Sequence, residues 1–389
     1  MKFLLATIPF ILLSTTSIAQ PKAENINWCV AATLPPATKT DKQLGVAGPL
    51  AGVHNGVLMV GGGANFPQAM PWLGGKKMYY RDVYLFKKGA KGNLNFLQQV
   101  LLPEAVGYSA NCSTPIGVVS AGGENEAGIT NKVWLLQWNG TTLKIEDLPP
   151  LPQGLTNAML TYSDGCIYLA GGETAIEATR HFLYLDLNHL ANGWLPLPQL
   201  PQPTTHGVLV VQEDGDGKSI YLLGGRSKTN SGISKLYNNV YAFNLAKKVW
   251  EEKASLPYAL SAGTGAAAVK HSILLFGGDK GETFHQTEKL IAAINAEKDA
   301  TKKKALNQQK IKLQSSHPGF SREVLTYDTQ KNQWSKVGTI PYEAPVTTTA
   351  VKWDDAIYIP SGEVKAGVRT PQILKGEIKL NDKKGSKGF

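Results

Sequence analysis

Six times along the chain a short apolar run ends in a pair of small residues: VLMVGG to Gly62, GVVSAGG to Gly123, IYLAGG to Gly172, IYLLGG to Gly225, ILLFGG to Gly278 and IYIPSG to Gly362. Most are followed by a second run bearing Tyr or Trp (DVYLF, KVWLLQW, HFLYLDL, NVYAFNL, EVLTYD). Several units then close on an aromatic-Leu-Pro phrase, as in GWLPLPQLP and VWEEKASLP. Short β-type runs separated by turn signals, four to a unit of roughly fifty residues, make each unit one twisted antiparallel sheet. Such a sheet cannot bury both faces alone, so its copies stack around a common axis.

The fold class that follows is all-β, a six-bladed β-propeller of kelch type. The small pair ends the second strand where a positive φ or a close backbone approach excludes a Cβ. Aromatic residues of the outer strands fill the wedges between sheets. An apolar content of 42% excludes disorder. A length of 389 residues alone would suggest two or three domains, but an array with one axis makes residues 20–389 a single domain.

The two ends complete each other. Ile26-Asn27-Trp28-Cys29-Val30, followed by Ala32-Thr33-Leu34-Pro35, has the form of a fourth strand and its exit. The last unit offers a first strand near Thr347–Val351, a second ending at Pro360 and a third near Gln372–Leu380, then stops. Residues 26–33 are expected to close the ring by pairing with that final strand, which removes two exposed sheet edges. The period breaks once, between Asp279 and Arg322. There Leu290, Ile291 and Ile294 recur at helical spacing, so a helical insertion over about residues 286–316 is expected between the second and third strands of the fifth blade. An insertion of this kind shapes a site or subunit contact, or packs on the flank.

MKFLLATIPFILLSTTSIAQ reads as a secretory signal peptide over residues 1–19, with Lys2, an apolar stretch from Phe3 to Leu13, and Ser17 and Ala19 before Gln20. The stretch is too short to span a bilayer, and no Cys directly follows to carry a lipid. A soluble periplasmic protein without a membrane partner is expected. Cys29, Cys112 and Cys166 exclude a disulfide scaffold and a CxxC motif, and three buried thiols fit better than one bridge. The net charge of +10 gathers between Lys298 and Lys312 and in the tail 383–387. It reads as solvated faces with a mild attraction for anionic ligands. No basic stripe with interleaved aromatics points to nucleic acid.

Ligands of propellers bind where loops of all blades meet at the channel mouth. The residue after each small pair occupies one equivalent loop: Gly63, Glu124, Glu173, Arg226, Asp279 and Glu363. Four carboxylates and a guanidinium exceed what turns require. The segment 361–370 is the densest, with Gly362 and Gly367 shaping a loop that sets Glu363 beside Lys365 and Arg369. A Glu serves as general acid or base when partial burial tunes it, and an Arg offers the planar fork suited to a carboxylate. No His pair has zinc-ligand spacing, and there is no GxSxG elbow or P-loop. His54 and His271 fall in hairpins and read as exposed turn residues, whereas His206, at the entry to a first strand, is placed to face the site.

Gly-Glu-Val-Lys-Ala-Gly-Val-Arg-Thr at 362–370 resembles the GExKxGxRT stretch of the N-acetylneuraminate epimerases, the sialic acid mutarotases. The likeness extends to Gly224-Gly225 through Lys228-Thr229-Asn230-Ser231-Gly232, to Tyr237-Asn238-Asn239-Val240, and to the helical insertion before the GExK loop. The blade order is cyclically permuted, since this blade comes last here and mid-chain in the better-known members. A closed ring has no privileged first blade, so the site survives permutation.

The resemblance implies an isomerase that interconverts the α and β anomers of N-acetylneuraminate, with Glu363 and Arg369 carrying over as the catalytic pair. Glu363 would take the anomeric hydroxyl proton as the ring opens, a proton would reach the ring oxygen directly or through water, and Arg369 would hold the carboxylate. This chemistry uses no metal or other cofactor. Substrate-binding candidates are Lys365, Arg226, Lys228, Asn230, Asn65, Tyr108 and His206. The competing readings are a non-catalytic propeller that binds glycan or protein, and a mutarotase of another acidic or N-acetylated sugar.

Overall fold

The computed structural model describes residues 25–379 apart from residues 39, 90, 91 and 268–270. The expected signal peptide (1–19) and basic tail (383–387) lie outside them. Six antiparallel sheets follow one another around an axis, each with its first strand innermost. Blade I comprises Ala47–His54, Val57–Asn65, Asp82–Lys88 and Leu94–Leu101, with Met78–Tyr79 added beside the second strand. Blades II to V occupy 110–147, 159–196, 208–253 and 264–339. Blade VI takes Val351–Trp353, Ala356–Pro360 and Gln372–Lys379 from the end of the chain and Asn25–Thr33 from its start.

Closure by the N-terminal strand is as expected: it runs antiparallel to Gln372–Lys379, with Trp28 opposite Gly376. The first strand of blade VI starts later than the sequence suggested, at Val351 rather than Thr347. Thr347 has a φ of 52°, a left-handed value that takes this β-branched residue out of the strand ladder.

The molecule has no single centre of packing. Buried apolar residues form six large clusters, one in each cleft between neighbouring blades. Between blades III and IV, Phe182 meets Phe243 with ring centroids 4.9 Å apart and Trp250 at the same distance. The aromatic-Leu-Pro phrases also have a polar function. Indole Nε1 of Trp194, Trp250 and Trp334 donates to Pro149, Pro198 and Ala254 respectively, each in the exit segment of the preceding blade, at 2.9–3.0 Å. Each indole thus buries its ring in a cleft and stitches two blades together.

The small pairs answer to close approach. Gly171 has a φ of +60°, and a Cβ there would lie 2.0 Å from the carbonyl oxygen of Thr204 in the next blade. No side chain fits that crossing.

The insertion is two helices, α1 (Glu282–Ala296) and α2 (Ala300–Ser315), joining the second and third strands of blade V as expected. Asp299 caps α2 by accepting the Lys302 N–H at 2.8 Å. Of the three apolar residues that signalled helix, only Ile294 is buried, and Ile291 is exposed. Polar contacts anchor α1 instead: the Glu288 carboxylate accepts both the N–H and the hydroxyl of Ser234, at 2.8 and 2.7 Å.

Two smaller expectations change. His54 is buried rather than exposed, because Nδ1 accepts the Trp138 N–H at 3.0 Å across to blade II. The cysteines are unpaired and half-buried rather than fully buried.

Candidate active site

A closed cycle of backbone hydrogen bonds forms the floor of the channel mouth. Gly48, Tyr108, Asn157, His206, Ala262 and Thr347 occupy the same position in the six blades. The N–H of each donates to the carbonyl of its counterpart in the preceding blade, and Gly48 closes the cycle onto Thr347, at 2.8–3.4 Å. All six have left-handed φ, from 52° at Ala262 and Thr347 to 64° at Gly48. A non-glycine residue in that region costs roughly 1–3 kcal/mol and persists only where its surroundings enforce it. Here the cycle enforces it and brings Tyr108, Asn157, His206 and Thr347 to the cavity wall.

One residue before each of these, the backbone pairs with the residue that follows the small pair: Gly107 with Glu124, Thr156 with Glu173, Thr205 with Arg226, Ser261 with Asp279 and Val346 with Glu363. In blade I the corresponding pair is Ala47 with Ala64. The sequence reading placed Gly63 at this position. It is one residue off, because Gly62 and Gly63, with φ of 60° and 80°, form the left-handed pair. The other five, Glu124, Glu173, Arg226, Asp279 and Glu363, all line one cavity of ≈ 400 Å³.

Glu363 and Arg369 are cross-strand partners in a short hairpin of Glu363–Lys365 and Val368–Arg369. Glu363 Oε1 accepts the Gly367 N–H at 2.7 Å and lies 3.7 Å from Arg369 Nη1. Arg369 is almost wholly covered, its guanidinium 4.7 Å above the Phe66 ring, and among the described residues its Nε and Nη1 lack hydrogen-bond partners. It therefore sits behind Glu363, while Glu363 faces the cavity.

Arg226 extends into the cavity over the Phe284 ring at 4.5 Å, and its Nη2 lies 3.1 Å from His206 Nε2. Thr205 Oγ1 donates to the Asn157 carbonyl and so accepts from His206 Nδ1. That chain fixes the tautomer: Nδ1 carries the proton and Nε2 takes a bond from Arg226. Burial, reinforced by Arg226, holds His206 well below its ordinary pKa and therefore neutral. Glu173 accepts the Asn157 side-chain N–H at 3.0 Å. Burial pushes its carboxyl up, against the pull of Arg226 and of that hydrogen bond.

A second cation enters from blade I. Lys77 Nζ lies 2.9 Å from Glu124 Oε1 and 4.6 Å above the Tyr108 ring. Burial opposes its charge, but Tyr108 and Glu124 more than offset that and raise its pKa. The helical insertion forms the outer wall with Thr283, Phe284, Thr287 and Gln314, continued by His317 and Phe320.

Of the sequence candidates, the cavity thus brings together Glu363, Arg226, Tyr108 and His206, with Arg369 immediately behind. The rest lie elsewhere. Asn65 is buried and engaged with the Gly45 carbonyl and the Tyr80 hydroxyl. Lys365 pairs with Glu343 at 3.0 Å on the outside, and Lys228 and Asn230 are exposed on the hairpin of Arg226–Lys228 and Ser234–Leu236. Lys77 and Asn157 escaped the sequence reading. Lys77 belongs to an irregular loop, but Asn157 had a signal, the fixed offset from each first strand that it shares with Tyr108 and His206.

The sequence profile of the N-acetylneuraminate epimerase family matches residues 148–387, more than half of the chain and starting where blade II ends. N-acetylneuraminate epimerase 1 of Escherichia coli O6:H1 is 25% identical over 236 residues, covering 59% of this chain and 60% of that protein. The N-acetylneuraminate epimerase of Pasteurella multocida is 27% identical over 236 residues, covering 59% and 58%, and that of Brucella melitensis biotype 1 is 25% identical over 251 residues, covering 63% and 62%. The chain thus aligns with about three-fifths of the length of these relatives. The matched stretch takes in the last four blades. With its six-bladed propeller, the chain belongs to the N-acetylneuraminate epimerase family.

Proposed function

We propose that the protein is a mutarotase that accelerates exchange between the α and β anomers of N-acetylneuraminate by acid–base ring opening and closing. The observation that carries this reading is Glu363: it faces a cavity of ≈ 400 Å³ while its carboxylate is held by the Gly367 N–H and backed by Arg369. A carboxylate so fixed can take the anomeric hydroxyl proton without first searching for its position.

Arg369 then acts through Glu363. Its covered guanidinium keeps a positive charge behind the base, and the grip on the sugar carboxylate passes to the cations that reach the cavity, Arg226 and Lys77. Arg226 is suited to this because stacking on Phe284 and contact with His206 fix the plane of its fork. The remaining wall, polar at Asn157, Thr283, Thr287 and Gln314, matches a hydroxyl- and amide-rich sugar. The leader read in residues 1–19 sets this activity in the periplasm.

The test is proton NMR of anomer exchange, started from the pure α anomer, with and without protein. Acceleration supports the mutarotase. Exchange at the buffer rate, with line broadening that shows binding, supports a sugar-binding propeller instead. If another acidic sugar exchanges faster, the chemistry stands and the substrate changes.

A further inference from the structure

Ring opening at an anomeric centre needs two proton transfers, and Glu363 supplies only one. The blade order locates a partner. Glu173 and Glu363 occupy the same post-pair position in blades III and VI, fixed by the same backbone bridges, to Thr156 and Val346. In a six-membered ring, elements three blades apart lie on opposite sides, so these two carboxyl groups flank the cavity that both line. We propose that Glu173 is the general acid of the reaction, donating to the ring oxygen while Glu363 takes the proton of the anomeric hydroxyl. This rests on the mutarotase reading above.

The step balances. As the bond between the anomeric carbon and the ring oxygen breaks, its electron pair stays on oxygen, which takes the Glu173 proton. The anomeric hydroxyl gives its proton to Glu363, and its C–O bond becomes the ketone carbonyl. Glu173 is left as carboxylate and Glu363 as carboxylic acid. Reclosure on the other carbonyl face returns both protons.

The surroundings of the two residues suit opposite duties. Glu363 has Arg369 behind it and a backbone N–H on its oxygen, which hold the carboxyl group in place. Among the described residues, the hydrogen-bond partner of the Glu173 side chain is the neutral amide of Asn157. The charged groups around it are Arg226 and Lys228, against Glu124, and burial outweighs the cations and raises its pKa. Two carboxyl groups in unlike surroundings on opposite sides of one cavity are the pattern of paired acid and base.

The experiment compares pH–rate profiles of anomer exchange for wild type, Glu173→Gln, Glu173→Asp and Glu363→Gln, with thermal melts of each. Gln keeps the acceptor used by Asn157, so the fold is expected to hold. Glu173→Gln should lower kcat by about 10²-fold, the low end for a lost general acid, leave KM and Tm near wild type, and abolish the alkaline limb. Glu173→Asp should restore that limb with part of the rate. A Gln variant with wild-type kcat, or one whose residual rate keeps the wild-type alkaline limb, overturns the assignment while leaving the mutarotase reading intact. If wild type gives no acceleration, or Glu363→Gln matches it, the reading itself fails and the acid role with it.

Discussion

Arg369 stands behind Glu363, cross-strand from it in one hairpin, its Nη1 3.7 Å from the carboxylate oxygen that accepts the Gly367 N–H. Carboxylate, cation and backbone donor thus come from seven consecutive residues, and the tight return at Gly367 is what lets them converge. Gly367 has a φ of +72°, and a Cβ there would sit 3.0 Å from both Pro71 Cδ and the Trp72 ring.

Gly367→Ala should therefore cost about 1–2 kcal/mol from left-handed strain alone and displace the N–H that holds Glu363. A lowered urea midpoint together with slower anomer exchange is the expected result.

Replacing residues 282–315 with a short Gly-Ser linker should leave the propeller folded, because the strands they connect are hydrogen-bonded neighbours. It removes Thr283, Phe284, Thr287 and Gln314 from the cavity wall and takes away the stacking partner of Arg226. KM is expected to rise by about tenfold, equivalent to roughly 1.4 kcal/mol of binding, with the melting profile remaining cooperative.

His206 makes stability depend on pH with a defined sign. Its folded pKa lies well below the unfolded value of 6.5, so between the two the unfolded chain binds the extra proton. The contribution of His206 is complete above pH 6.5 and is lost as pH falls toward its folded pKa. Melts from pH 8 downward should show Tm of wild type falling more steeply below about pH 6.5 than that of His206→Gln.

Ring closure depends on Trp28, half-buried, whose ring meets Phe276 of blade V edge-on with centroids 5.7 Å apart. Trp28→Ala should cost about 2–3 kcal/mol, read from denaturant midpoints, because it weakens the strand that joins the two ends of the ring.

The architecture was legible because it is written in repetition: small pairs, aromatic second runs and Leu-Pro exits each recur, and the missing fourth strand of the last blade pointed to residues 26–33. Glu363 and Arg369 were legible because one hairpin contains both. What escaped depended on the closed ring. Gly61-Gly62-Gly63 offers two registers, and only the crossing with Val106 and Val46 selects the second. Asn65 looked like a site residue from its position, yet Tyr80 and Gly45 hold it in the interior. Lys77 reaches the cavity from the loop between Asn65 and Met78, which is longer than the hairpin turns at the equivalent place in blades II, IV and VI. The opposition of Glu173 and Glu363 exists only once six blades are counted around an axis.

On the proposed reading, Glu363 turns this cavity from a sugar site into a catalyst. That role is tested most directly by proton NMR of α-to-β exchange of N-acetylneuraminate with wild type and Glu363→Gln at equal concentration. Wild type should accelerate exchange clearly and the variant should lose about 10²-fold or more of that acceleration, with unchanged melting temperature. Acceleration retained in Glu363→Gln would contradict the reading.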